Sequence, residues 1–256
     1  MSDLQPRRDE LRRAFESEGL VHLPGFLGTA ELSRLREELD RLHRDIVPAM
    51  PRERVYHESS SRVDSLKQLQ QLAEHDPWFA ELLTGGAFRD LAELLLDGPV
   101  VPRNLQWFNK PPGLGQPTPA HQDGYYFMLE PSEAVTIWLA LDLADEENGC
   151  VRYVPRSHLL GMRPHGRTGT LGFSQGITDY GRPEDVEAEV AFPARPGDVL
   201  AHHALTIHRA DGNRSAARQR RALGFIYYCG AAREDTGAHD AYQRSLADEL
   251  IREERV

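Results

Sequence analysis

His121-Gln122-Asp123, within Pro119-Ala120-His121-Gln122-Asp123-Gly124-Tyr125, sets an imidazole and a carboxylate two residues apart. On an extended strand alternate side chains share a face, so this spacing brings both heads together as two ligands of a divalent metal. A third ligand from elsewhere would complete the two-histidine, one-carboxylate facial set that leaves positions open on non-haem Fe(II). The same tripeptide also describes an ordinary surface strand end, so the reading depends on whether the chain supplies the third ligand.

The stretch 195–215 opens on the Gly197-Asp198 turn and carries three histidines. His208 follows the apolar Leu205 and Ile207 and precedes a polar Gly212-Asn213 turn, which places it at a strand end, where the mouth of a barrel would be. His202 and His203 offer the same chemistry, and spacing does not exclude them. The next apolar strand begins at Arg220-Arg221. A guanidinium entering a barrel is costly unless it meets a carboxylate, and its bidentate fork is the geometry that binds one best. That carboxylate belongs either to a ligand or to a protein Asp or Glu at the rim.

These residues need a scaffold. Leu32, Leu35, Leu39, Leu42 and Ile46 follow a helical spacing behind Thr29 as N-cap. Asp76-Pro77 reads as N-cap and first residue of another helix, and Gly98-Pro99 closes a third carrying Phe88, Leu91, Leu94 and Leu95. From Val100 the period changes to two: Val135, Ile137, Leu139 and Leu141 alternate with Thr136, Trp138 and Ala140. Further strands are expected at 100–109, 150–154, 186–192, 198–208 and 220–229. The expected fold is mostly β with a helical buttress: a double-stranded β-helix, or jelly-roll barrel, with N-terminal helices packed on it. The expected organisation is one domain over 1–256, with a helical front (1–98), a jelly-roll core (99–230) and a C-terminal helical tail (231–256).

Charge narrows the partners. Lys plus Arg number 30 and Asp plus Glu 40, a formal net charge of −10 over 256 residues without a basic block, which argues against nucleic acid. Cys150 and Cys229 lack the spacing of a zinc finger and read as reduced thiols. The charged N-terminus has no apolar signal core and no run approaches a membrane span, so the expectation is a cytoplasmic protein, monomer or homodimer, acting on a small molecule.

Taken in order, Phe108-Asn109-Lys110-Pro111-Pro112-Gly113, His121-Gln122-Asp123, the run 135–142, the segment Asn148–Gly161, Gly197-Asp198, His208 with Asn213 and Ser215, and Arg220 resemble the phytanoyl-CoA dioxygenase family over about residues 18 to 230. The family comprises Fe(II)- and 2-oxoglutarate-dependent oxygenases, ectoine hydroxylase among them. The resemblance implies that His121, Asp123 and His208 hold the iron and that Arg220 takes the distal carboxylate of 2-oxoglutarate. Trp138 is implied as a cosubstrate neighbour, and Gln106 is a candidate for a hydrogen bond to it. The segment 216–219 is one residue longer than is usual in the family, which leaves Arg221 as the alternative anchor. The implied activity is O2-dependent hydroxylation of an unactivated C–H bond in a small or medium metabolite, with release of succinate and CO2. Asp123 argues against the halogenating relatives, which lack the carboxylate.

Two rivals follow from the residues. Gly172-Phe173-Ser174-Gln175-Gly176 matches G-x-S-x-G with Asp198 and His208 after it, the order of a serine hydrolase. A jelly-roll protein with a purely structural metal would need a fourth protein ligand, such as His202 or His203. Finally, the glycine-rich stretch 161–181 reads as a lid or as a disordered insertion; as a lid it offers Arg163, His165 and Arg167 to an anionic substrate group, with Tyr125, on the strand face of Asp123, forming the opposite wall.

Overall fold

The computed structural model describes residues 7–237 apart from Ser60 and Leu171, together with Ala241 and Arg244. The period-two segments pair into a seven-stranded antiparallel sheet. Its order is Leu20–Leu23, Val199–His203, Ala134–Ala140, Ala222–Cys229, Val100–Phe108, Leu66–Leu69, Val55–His57. A four-stranded sheet, ordered Val190–Phe192, Val151–Tyr153, His208–Ala210, Thr118–His121, supplies the second wall of the jelly roll. Between the two walls lies a cavity of about 500 Å³.

Strand alternation decides what faces that cavity. Val135, Ile137 and Leu139 point into the apolar layer under the helices, whereas Thr136 and Trp138 line the cavity. On the neighbouring strand Leu223, Phe225 and Tyr227 join the same layer, and Gly224, Ile226 and Tyr228 line the cavity. Gly224 makes room for Phe108, because a Cβ would stand 2.8 Å from its ring and force the ring to shift.

The helices Arg8–Glu18, Thr29–Arg41, Pro77–Thr84 and Gly86–Leu95 cover the outer face of the large sheet with Phe15, Leu35, Phe79 and Leu91. Phe88 stacks on Phe225 at 4.0 Å, and Tyr227 donates a hydrogen bond to the Leu83 carbonyl. Asp76 caps its helix as expected, accepting from the Trp78 and Phe79 amides at 3.0 and 3.4 Å, and Arg41 grips the same carboxylate at 2.7 and 2.9 Å. Thr29 is not a cap: the helix starts on it, and the Gly28 amide donates to Glu31 at 3.0 Å instead.

Two strand expectations and one loop expectation change in a way that matters for the site. The stretch 198–208 is two strands, Val199–His203 in the large sheet and His208–Ala210 in the small one, with Ala204–Ile207 crossing between walls. The stretch 186–192 begins in the helix Pro183–Ala188, so only Val190–Phe192 is strand. The loop 161–181 contains a hairpin of His165–Arg167 with Gln175–Ile177. Most of the expected C-terminal helical tail lies outside the described residues; its beginning holds a short strand, Arg233–Glu234, paired with Leu129–Glu130.

Candidate active site

Two facing rungs of sheet build the site. In the small sheet His208 is the register partner of His121 on one side and of Tyr153 on the other. In the large sheet His202 is the partner of Thr136. Asp123 stands between these rungs. Its Oδ1 lies 3.5 Å from His121 Nε2 and 3.7 Å from His208 Nε2, while its Oδ2 accepts a 2.6 Å bond from Thr136 and lies 3.2 Å from His202 Nε2. One ligand atom from each of His121, Asp123 and His208 falls within 4.8 Å of the others, close enough to hold one metal ion.

The donor chemistry fits a metal. His121 Nδ1 is 2.8 Å from the Pro119 carbonyl and His208 Nδ1 is 3.0 Å from that of Thr206. A carbonyl can only accept, so both Nδ1 atoms carry the hydrogen and both Nε2 lone pairs face the site. Burial and the neighbouring His121 and His202 push His208 well below the usual histidine range, which keeps it a neutral donor. The Asp123 carboxyl is held well below the usual carboxylate range although burial opposes this.

The shared strand face expected for His121 and Asp123 is not what unites them. The strand ends at His121, and Asp123 adopts helical angles (φ −58°, ψ −34°) at the start of the turn Gly124–Phe127. That turn shifts the following wall by one residue. Tyr126 lines the cavity and exchanges hydrogen bonds with the Gln175 backbone, whereas Tyr125 stacks on His165 at 4.4 Å away from it.

Arg220 lines the cavity and is 5% exposed, and its Nε has no hydrogen-bond partner. Among the described residues no carboxylate pairs with it, and burial lowers its pKa to about 10. Trp138 stands beside it, with the guanidinium carbon 5.6 Å from the ring centre. Arg221 points the other way and is already satisfied by Asp142 at 2.8 Å through both Nε and Nη2. Gln106 also lines the cavity and accepts from Gln68 Nε2 at 2.6 Å.

Other expectations are corrected. Arg163 does not line the cavity: it bonds Asp179 at 2.8 and 3.0 Å and Asp185 at 2.6 Å, so its charge is spent within the hairpin region. His165 accepts from the Gln122 amide through Nε2 and meets the Arg163 carbonyl through Nδ1, and burial lowers its pKa; it is a neutral bracket, not a cation. The hairpin instead presents Phe173, whose ring lies 5.5 Å from His121 and 6.2 Å from Phe108. Ser174 leads into the strand Gln175–Ile177 instead of standing on a turn from a strand into a helix, so the nucleophile elbow is missing. Asp198 is occupied with the Gly25 and Arg195 amides. His203 turns to the opposite face from His202, 3.2 Å from Glu133, and cannot be a fourth ligand.

Four roles escaped the sequence reading. Thr136 and His202 hold Asp123, Tyr153 holds His202, and Gln122 ties the hairpin down by bonding the Gly161 and Leu205 carbonyls and the Arg163 amide. Only the alternation across Val135–Leu141 could have pointed to any of them, by placing Thr136 on the cavity face.

Fold and donor set define the double-stranded β-helix class to which iron- and 2-oxoglutarate-binding oxygenases belong. The chain belongs to the phytanoyl-CoA dioxygenase family, whose profile matches residues 15–222. It is 28% identical over 226 residues to the peroxisomal phytanoyl-CoA dioxygenase of Bos taurus, covering 80% of this chain and 64% of that protein. The epimerase SnoN, solved in complex with Fe3+, alpha ketoglutarate and nogalamycin RO, matches with a TM-score of 0.71 and 25% identity over 90% of this chain and 86% of that one. EvdO2 from Micromonospora carbonacea var. aurantiaca, complexed with 2-oxoglutarate, matches with a TM-score of 0.68 and 28% identity over 88% and 91% of the two chains.

Proposed function

We propose that this protein is an iron(II)- and 2-oxoglutarate-dependent oxygenase that hydroxylates a C–H bond of a small or medium polar metabolite. The observation that carries this reading is the presence, in one cavity, of a three-ligand donor cluster and a buried arginine without a carboxylate partner. A buried guanidinium is costly unless a carboxylate meets it, and a dicarboxylic oxo acid supplies one. In this reading His121 and His208 bind the metal through Nε2 and Asp123 through Oδ1. Arg220, flanked by Trp138, takes the distal carboxylate of 2-oxoglutarate, and Gln106 faces the same space. Bound iron with 2-oxoglutarate and O2 supplies the oxidising chemistry, in which the oxo acid leaves as succinate and CO2 and one oxygen atom enters the substrate.

The protein's own work is to orient and to exclude water. Phe173 and Tyr126 pack against His121, with ring centres 5.5 and 6.0 Å away, and aromatic cover there limits solvent at the reacting centre. The substrate reading rests on charge. Of the guanidinium groups lining the cavity, Arg103 is paired with Glu234 at 2.6 Å and Arg209 with Glu189 at 2.6 Å, whereas Arg54, like Arg220, forms no ion pair among the described residues. A substrate with one anionic group suits Arg54, and the cavity attracts it although the chain as a whole is acidic.

The test is anaerobic loading with Fe(II), followed by O2 and 2-oxoglutarate with succinate as readout. His121→Ala and His208→Ala should lose both iron and succinate formation while staying folded. Full iron occupancy in His208→Ala would overturn the ligand set and move it to His202. For the substrate, small carboxylates and phosphonates should stimulate succinate formation in the wild type and do so less in Arg54→Gln.

A further inference from the structure

Asp123 is held from behind as well as from the metal side. Its Oδ2 faces the large sheet, where Thr136 Oγ1 donates at 2.6 Å and His202 Nε2 lies at 3.2 Å. His202 is 2% exposed, and its other nitrogen, Nδ1, is 3.0 Å from the hydroxyl of Tyr153, which is fully buried. A phenol that gives its hydrogen to Nδ1 leaves the hydrogen of a neutral imidazole on Nε2, directed at the carboxylate. The chain Tyr153–His202–Asp123 therefore joins both walls of the jelly roll. Tyr153 sits on the small-sheet rung that carries His208 and His121, and His202 sits on the large-sheet rung that carries Thr136.

We infer that Tyr153 and His202 are positioning residues that, with Thr136, occupy Oδ2 and leave Oδ1 as the single metal-facing oxygen of Asp123. This rests on the metal site proposed above. A carboxylate free to rotate could offer both oxygens to the ion and occupy one of the open positions; two donors on Oδ2 prevent that. The adjacent His203 has no such part, because strand alternation sends it to Glu133. His202 thus serves the site without being a ligand.

The probe is Co(II), titrated into chelator-stripped protein by calorimetry, with its visible absorption recorded on the saturated sample. Groups that orient a metal ligand commonly change affinity about 10- to 100-fold when removed. His202→Phe, which keeps a planar ring and removes both nitrogens, should raise the Co(II) Kd by about that factor and alter the visible bands as the carboxylate rotates. His202→Gln retains an amide donor and should recover part of the affinity; Tyr153→Phe, one oxygen smaller, should show the same change in smaller degree. Apo-protein melting curves separate positioning from mere folding, since a structural role would lower the melting temperature and leave the Kd and spectrum of the folded protein alone. If the wild type binds Co(II) and the folded variants match its Kd within twofold with the same spectrum, the inference is wrong while the metal site stands. If the wild type does not bind Co(II), both are wrong. Should His202→Phe fail to fold, His202→Gln and Tyr153→Phe decide by the same criteria.

Discussion

Replacing Arg220 with methionine should make the ligand-free protein more stable and 2-oxoglutarate binding weaker, two effects that rarely coincide in one substitution. Burial lowers the guanidinium to a pKa of about 10, far from the ordinary arginine range. At about 1.4 kcal/mol per pKa unit, a shift of that size corresponds to roughly 3 kcal/mol of unfavourable desolvation. No protein carboxylate among the described residues forms an ion pair with it, and Asp142, engaged by Arg221, offsets only part of the cost. Methionine keeps much of the stem and fills irregular space without a charge, so Arg220→Met should recover part of that cost. In the presence of 2-oxoglutarate the sign reverses. Each hydrogen bond to a charged group is worth about 1.5–3 kcal/mol, so losing even one arm of the fork raises the Kd by about 10- to 150-fold. Ligand at 100 times the wild-type Kd stabilises the wild type by about 2.7 kcal/mol, and between about half and nearly all of this should vanish in the variant. Urea unfolding with and without 2-oxoglutarate, on Mn(II)-loaded protein, measures both quantities. Arg221→Met is the control: it breaks the Asp142 pair and should lower stability without touching 2-oxoglutarate affinity. An Arg220→Met protein that loses more than about 1 kcal/mol without ligand and binds 2-oxoglutarate normally would refute the reasoning.

The other expectations concern the frame around the site. Asp76→Asn removes the charge that caps Pro77–Thr84 and pairs with Arg41, and should cost about 1–3 kcal/mol at neutral pH. The Arg41 bond holds the Asp76 carboxyl below its usual range, so its contribution is complete above an unfolded-state pKa of about 4 and is lost as pH falls through the lower folded value. Urea melts of wild type and variant should therefore converge in acid; a constant gap down to pH 2 would contradict this. Arg163→Ala unties Asp179 and Asp185 and should speed proteolysis within 161–181 while leaving 2-oxoglutarate affinity within twofold. Phe173→Ala should raise 2-oxoglutarate turnover uncoupled from substrate, read as succinate formed without product, because the covering of His121 is thinned.

What could be read before folding were periodicities and donor types. The alternation through Val135–Leu141 announced a strand with one face for the helices and one for the cavity, and the alternation held because both faces are buried. His121, Asp123, His208 and Arg220 were legible as chemistry because imidazole, carboxylate and guanidinium have few inexpensive uses inside a barrel. The choice between Arg220 and Arg221 was not: adjacent strand residues face opposite ways, and only the position of Asp142 shows which one is already paired. Tyr125 and Arg163 failed for a related reason. A one-residue change from strand to helical turn at Asp123 moves Tyr126 to the wall, and a local carboxylate pair spends the Arg163 charge before any ligand meets it.

The sequence by itself determined most of the elements and the kinds of donor on offer, since these follow from periods of two and 3.6 residues and from side-chain chemistry, whereas the choice of His208 over His202 and His203 rested on the family resemblance. Tertiary structure alone decided which donors meet. His121 and His208 lie 87 residues apart in the chain yet are direct register partners, and His202 and His208 approach Asp123 from different sheets because Ala204–Ile207 carries the chain from one to the other. Pairing register is set by packing summed over whole sheets, so no local window contains it.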